Sequence, residues 1–424
     1  MFGYQPVVIA GPGTPASGRW TPLDRSLEPR VAAAVETHRI SSAEPGRSTG
    51  WAERRERWLA QRSRWAKWWI EGAVEVGLRA GADSDLIYAS MQPYESAEAA
   101  ARLSELTGRP WVGDLTDPWA LDEMMIYPTG AHRAFDLRRM RKVLGSAAGI
   151  AMSTPEAVQQ LRAQLPELGG KPVVPVPNGY WAPDFERPPR PRTSSSFRIV
   201  HAGYLHTAMG YRQRRFRAVR RLLGGSIHDV DILTRSHLYL LEAIDRLAGE
   251  RPDDASRIEL VLAGVLSDTD RSVAVGRDYV RMLGYCDHDE TVGLLRTADL
   301  LFLPMHNLPP GIRATIVPGK TYEYLASGRP ILAAVPEGDL RDMLASVDNA
   351  WICRPDDVPS MMDILRALLD QFESAQEVAH ARHTSDVAQY EYRALADRLT
   401  QLFDRVLGEP DSHGTIRAAA STLT

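Results

Sequence analysis

Only two cysteines, Cys286 and Cys353, occur in 424 residues, and neither belongs to a Cys-x-x-Cys pair. That leaves no disulfide framework and no thiolate zinc scaffold. Lysine is almost as scarce: Lys67, Lys142, Lys171 and Lys320 stand among 50 basic residues. Arginine is the default cation here, so Lys320 stands out. No apolar run is long enough to span a bilayer, and no N-terminal signal pattern is present. The expected compartment is the reducing cytoplasm, with membrane-peripheral attachment open. Net charge is −4, which gives no global nucleic-acid footprint. Charged residues make up 25% and hydrophobic residues 44%, ordinary for a soluble chain with two or three domains.

What is present is an alternation of short apolar runs and amphipathic stretches, the pattern of a doubly wound sheet. Strands are expected at 6–10, 86–90, 111–115, 149–152 and 173–176, and helices at 50–77, 95–107, 135–144 and 155–165. A stretch rich in Pro, Arg and Ser follows at 182–196 and reads as a linker. A second series begins at Phe197, with strands at 197–202, 258–263 and 280–283 and around Leu300 and Ile331. The expected domains are 1–181 and 197–388, then a returning helix at 389–408 and a polar, disordered tail at 409–424.

The most informative stretch is Pro318 to Leu332, PGKTYEYLASGRPIL. Pro318 suits a first helical position and Gly328 a left-handed stop. Flanked by apolar runs, this is a strand–loop–helix–strand unit, and ligands of such sheets sit beyond the carboxyl ends of the strands. Glu323 falls early in the helix, where a carboxylate accepts hydrogen bonds from both ribose hydroxyls of a nucleotide.

Preceded by ADLLFLP, this segment resembles the donor-binding core of retaining GT-B glycosyltransferases, the group called glycosyltransferase family 4. Three further stretches are similar to the same group: Asp85 to Leu121 with its Asp-Pro-Trp, VPVPNGYWAPDF at 174–185, and IVHAGYL at 199–205. The resemblance implies an α/β GT-B fold, two doubly wound Rossmann-like domains facing an interdomain cleft. The N-terminal domain would bind the acceptor and the C-terminal domain a nucleoside-diphosphate sugar. It also implies sugar transfer to an acceptor hydroxyl with retention, without a bound metal or other cofactor. The group usually carries two glutamates eight positions apart. Glu323 matches the second, and the first falls on Thr315. The run at 6–13 resembles the second strand of that fold, so the first strand is expected to be missing.

The donor-binding candidates are Asn178, Gly179, Gly203, Arg235, Lys320 and Glu323. Glycines at strand ends let backbone N–H groups approach a diphosphate, although ordinary turn chemistry explains each equally well. The group uses a basic pair to neutralise the leaving diphosphate, a role that falls on Lys320 and Arg235. Asp117 either touches acceptor or sugar or caps the next helix, and His132 either approaches the sugar or is structural. With Arg235 and Lys320 these two complete the catalytic candidates. Asp229-Val230-Asp231 and Asp287-His288-Asp289 mimic metal motifs without supporting ligands, so no metal site is assigned.

Trp51 to Trp69 interleaves tryptophan with arginine and either lies on an anionic bilayer or packs its indoles on the core. Tyr211 to Arg221 holds six arginines that cover donor phosphates, touch lipid or face water. The acceptor is a glycan, a lipid-linked sugar or a small metabolite. The competing readings are a nucleotide-sugar epimerase of the same fold and a non-catalytic or truncated GT-B-fold binding protein.

Overall fold

Short runs of aliphatic and β-branched residues form parallel sheets in the computed structural model, which describes residues 2–12, 24, 26–32, 35–46, 50–59, 62–186, 196–373 and 385–408. Most of the expected linker, 187–195, and the tail at 409–424 lie outside these residues. The chain divides into two compact units. One comprises Met1–Asp122, Tyr127–Pro177 and Arg393–Thr424; the other comprises Glu123–Ile126 and Asn178–Tyr392.

In the first unit, β1 (Val7–Ala10) and β2 (Glu36–Arg39) form a small parallel pair. The polar sequence of β2 hid it from hydropathy reading. The main sheet runs β3 (Ile87–Ser90), β4 (Trp111–Leu115), β5 (Gly149–Met152), β6 (Val173–Pro175), parallel and in chain order. One face buries Trp111, Leu115, Ile150 and Met152 against Trp119 and Met140. On the other face, Val112 and Ala151 meet Leu402 of the helix Tyr392–Leu407. Gly149 is small by necessity, since a Cβ there would lie 2.9 Å from Val406 Cγ2.

The single helix expected at 50–77 is two helices, Gly50–Trp58 and Arg64–Ala80. Ser63 divides them: its hydroxyl accepts from the Ala66 N–H at 3.1 Å, an N-cap that starts the second helix afresh. Trp65 is buried, and Trp68 and Trp69 pack partly buried beside Ile40, Ile70 and Val74. Their indole N–H groups donate to Glu44, Ser42 and Ser96 respectively. Trp51 and Trp58 remain exposed.

The second unit holds β7 (Phe197–Ala202), β8 (Ile258–Ala263), β9 (Val280–Gly284), β10 (Leu300–Pro304), β11 (Ile331–Ala334) and β12 (Ala350–Cys353). They pair in the order β12-β11-β10-β7-β8-β9, all parallel. Alternate residues serve two cores. Val200, Val261, Leu301, Leu303 and Ala333 pack under Tyr322, Tyr324 and Leu325. Ile199, Leu260, Leu262, Phe302 and Leu332 pack under Leu241, Ile244, Leu365 and Leu368. Burial on both faces explains why these strands read as unbroken apolar runs.

From β7 the chain first builds outward through β8 and β9, then returns to the other side of β7 at β10. The loops after β7 and β10 therefore leave the sheet in opposite directions, the topological switch point at which such folds hold ligands. The helix from the Pro318–Leu332 motif is Lys320–Ser327, ending at Gly328 with φ +67° as expected. It starts two residues after Pro318, whose carbonyl accepts from the Thr321 N–H at 2.9 Å.

Candidate functional site at the β7–β10 switch point

Lys320 opens its helix with its ammonium 3.3 Å from His201 Nε2, near the carboxyl end of β7. His201 Nδ1 lies 3.0 Å from the Phe302 carbonyl and must donate to it, which leaves Nε2 as the acceptor from Lys320. Burial first, and the Lys320 charge second, hold His201 well below the ordinary imidazole range. It is a neutral strut that aims the lysine.

Gly203 gives this lysine room. Its φ is +109°, and a Cβ would sit 2.7 Å from Lys320 Nζ. The positive φ favours glycine, and a side chain there would displace the lysine tip. Burial, then the nearby Arg235 charge, lower Lys320 to about 7, while Glu323 pulls the other way. Two neighbouring cations, one of them buried, are a setting that favours an anionic ligand. The His206 N–H donates to the Arg235 carbonyl at 2.9 Å, joining the β7 loop to the Arg235 turn. Burial, followed by Arg235 and Lys320, pushes the His206 imidazole down to about 4.

Asn178 lies beside Gly319, where a Cβ would come within 3.8 Å of Asn178 Nδ2, so it borders the start of the Lys320 helix. Gly179 follows it. Glu323 lies one turn along that helix. Burial raises its carboxyl, His288 and Lys320 lower it, and Asp184 raises it. The structure thus gathers Asn178, Gly203, Arg235, Lys320 and Glu323 in the second unit.

Asp117 and His132 belong to the first unit. Asp117 accepts a hydrogen bond from Gln92 Nε2 beyond the end of β4. Both ring nitrogens of His132 are engaged, Nδ1 with Thr129 Oγ1 at 2.8 Å and Nε2 with the Trp58 carbonyl at 2.9 Å. Nearby, Trp119 is buried with φ +52°, rare for an aromatic residue, and stacks on Tyr94 at 5.0 Å.

Sequence reasoning missed Glu123. The segment Glu123–Ile126 packs with the second unit although the chain on either side belongs to the first. Glu123 is 2% exposed. Its Oε1 accepts from the Thr315 N–H at 3.0 Å and lies 3.2 Å from His306 Nε2; its Oε2 accepts from the Thr315 hydroxyl. Burial alone would raise this carboxyl, but His306 and Thr315 outweigh it and hold it below the ordinary range. The next residue, Met124, places its sulfur 2.9 Å from Arg235 Nη1. The one available hint was negative: Thr315 stands where the group carries an acid.

The expectation that Asp287-His288-Asp289 lacks a further ligand does not hold. Asp184 lies close enough that one ligand atom from each of Asp184, His288 and Asp289 falls within 4.8 Å of the others. Yet His288 Nε2 and Asp184 Oδ2 are 2.7 Å apart, a hydrogen bond. Two ligands of a tetrahedral zinc lie about 3.3 Å apart, given metal–ligand distances of about 2.0–2.1 Å. The contact is that of a direct hydrogen bond.

Residues 230–371 match the family described as "Glycosyl transferases group 1". Glycogen synthase of Mycobacterium tuberculosis (strain CDC 1551 / Oshkosh) is 28% identical over 123 residues, 29% of this chain and 28% of that protein. The match thus spans little more than a quarter of that relative's length. Sucrose-phosphate synthase from Thermosynechococcus elongatus superposes with a TM-score of 0.60 at 14% identity, covering 89% of this chain and 84% of that one. Anabaena Alr3699/HepE, solved with UDP, superposes with a TM-score of 0.56 at 12% identity, covering 95% and 100%. Residues 230–371 are thus similar to group 1 glycosyltransferases, and the chain that carries them has the GT-B fold.

Proposed function

We propose that this protein transfers a sugar from a nucleoside-diphosphate sugar to an acceptor hydroxyl, with retention at the anomeric carbon. The observation that carries this reading is the placement of Lys320. A lysine lowered to about 7 by burial and by Arg235 is held on a neutral histidine at the switch point of a Rossmann-like sheet. Such a group gains most when a diphosphate arrives, because the anion offsets both the burial and the Arg235 repulsion that lower it. Solved proteins of this fold hold UDP and UDP-glucose, which supports the same ligand class here.

In this reading Lys320 and Arg235 take the charge of the departing diphosphate. Backbone N–H groups near Asn178, Gly179 and Gly203 face it, and Glu323 accepts from the ribose hydroxyls. Asp117 touches the acceptor or the sugar, and His132 approaches the sugar, giving up one of its two hydrogen bonds to do so. No resident metal or cofactor takes part. The acceptor is a glycan, a lipid-linked sugar or a small metabolite.

No helix among the described residues is long and apolar enough to cross a membrane. We place the protein in the cytoplasm. Of the Trp51–Trp69 stretch, the helix Gly50–Trp58 is the part left for peripheral membrane contact, since Trp65 is consumed by packing.

The test is binding of a panel of nucleoside diphosphates, with release of free nucleoside diphosphate from a matching sugar donor as the activity readout. Binding without turnover of any donor would favour the non-catalytic reading. Reversible conversion of the donor sugar without transfer would favour the epimerase.

A further inference from the structure

The β7 strand and the Arg235 turn are separated by an arginine-rich excursion that the candidate site leaves unused. It forms two helices, Thr207–Arg215 and Arg217–Leu223, broken at Phe216. The first is anchored by Thr207, Gly210 and Gln213, which are buried. The second buries no residue at all.

Its sequence is nevertheless amphipathic. Phe216, Val219 and Leu223 recur at helical spacing on one stripe, and Arg217, Arg220 and Arg221 on another. Phe216 is 44% exposed, Val219 56% and Leu223 42%, and Leu222 beside the stripe is 87% exposed. An amphipathic helix normally buries its apolar stripe in the core. Here that stripe points away from the unit that carries it.

Charge identifies what would cover it. From Thr207 to Asp231 the chain carries six arginines and two aspartates, an excess of four positive charges. The two aspartates are spent on two arginines: Arg214 grips Asp231 through Nε and Nη2, and Arg217 grips Asp229 in the same way. A cavity of about 850 Å³ lies among Arg214, Arg215, Arg217 and Arg221, with Leu222 also lining it. A protein partner would need acids matched to this pattern, and a nucleic acid would leave the leucines in water. An anionic lipid surface satisfies both halves, with phosphate headgroups at the arginines and acyl chains around Leu222 and Val219.

We propose that the helix Arg217–Leu223 is a docking element for an anionic phospholipid surface. The inference does not depend on the sugar-transfer reading, nor on contact through Gly50–Trp58.

The test is co-sedimentation of the full-length protein with vesicles of pure phosphatidylcholine and of phosphatidylcholine with an equal share of phosphatidylglycerol. The proteins compared are wild type, Leu222→Glu, Val219→Glu and an Arg215→Gln/Arg221→Gln double variant. These side chains lie on the surface, so the fold should survive; circular dichroism and thermal unfolding check that it does. Expected is binding to the phosphatidylglycerol vesicles alone, weakened by salt, lost in Leu222→Glu and Val219→Glu. Each arginine removed should weaken it by about fivefold. Absence of binding to phosphatidylglycerol vesicles would overturn the proposal. So would binding that survives Leu222→Glu, which would assign the contact to another element. Equal competition by a single-stranded oligonucleotide that is indifferent to Leu222 would show a polyanion site instead. Self-association without lipid that Leu222→Glu abolishes would show a contact between copies of this chain.

Discussion

Glu123 and Thr315 meet twice. The Thr315 backbone N–H and its hydroxyl donate to the two oxygens of one buried carboxylate, across 192 positions of sequence. His306 completes the set. A loop between β10 and the Lys320 helix is thereby pinned by a residue that comes from outside the matched domain.

Replacing Glu123 by Gln keeps the shape and removes the charge. An amide has one acceptor oxygen where the carboxylate offers two, so at least one buried donor is left unpaired, at about 1–3 kcal/mol. The second unit should lose about 2 kcal/mol of stability by thermal or urea unfolding. Transfer activity should fall further than affinity for a nucleoside diphosphate, because the pinned loop precedes Lys320 without containing it.

Thr315→Glu would set a second carboxylate against the first. Like charges this close exclude one another, so the variant should be clearly destabilised. Combining it with Glu123→Gln should restore part of the loss, a coupling that a double-mutant cycle measures. Additive effects would show that the two positions do not share one slot.

Acid sensitivity follows from the direction of the Glu123 shift. Its carboxyl is held below the ordinary value of 4.5, so its contribution is fully present above that pH. The contribution is lost as pH falls through the depressed folded value. Wild type should lose stability on acidification below pH 4.5 more steeply than Glu123→Gln, as unfolding scans across that range would show.

Lys320 behaves in the opposite sense. Between about 7 and its ordinary 10.5 the unfolded chain holds a proton that the folded chain has released. The ligand-free protein should therefore gain stability from this group as pH rises through that window. Diphosphate binding needs the protonated lysine, so affinity should fall above pH 7, approaching tenfold per pH unit. Lys320→Met should be at least as stable as wild type without ligand and should bind diphosphate poorly at every pH. Calorimetric titration at several pH values checks both.

Gly203→Ala should cripple binding without touching a charge. A methyl group would meet Lys320 Nζ at 2.7 Å in a backbone conformation that costs alanine about 1–3 kcal/mol. The lysine must leave His201, and diphosphate affinity should drop as it does in Lys320→Met.

The parts of this molecule legible in the sequence are those built from local pattern. The apolar runs of β7, β8, β10 and β11 announce strands buried on both faces, and PGKTYEYLASGRPIL announces a helix with a glycine stop. Lys320 and Glu323 follow from that motif. Glu123 was not legible, because its meaning depends on Thr315 and His306, which only folding brings to it. Asp184 was hidden for the same reason: its pairing with His288 spans 104 positions. The break before Arg64 turns on a single capping serine inside an otherwise helical run of tryptophan and arginine. Strand β2 escaped because Glu36 and Arg39 carry charge where a buried strand would carry aliphatics.

One measurement bears most directly on whether this is a nucleotide-sugar enzyme: thermal shift of wild type and Glu323→Ala across a panel of nucleoside diphosphates. Stabilisation of wild type by one diphosphate, lost in Glu323→Ala, is the expected result and would name the base of the donor. A folded protein indifferent to every diphosphate, or stabilised equally with and without Glu323, would contradict a donor site built on Lys320 and Glu323.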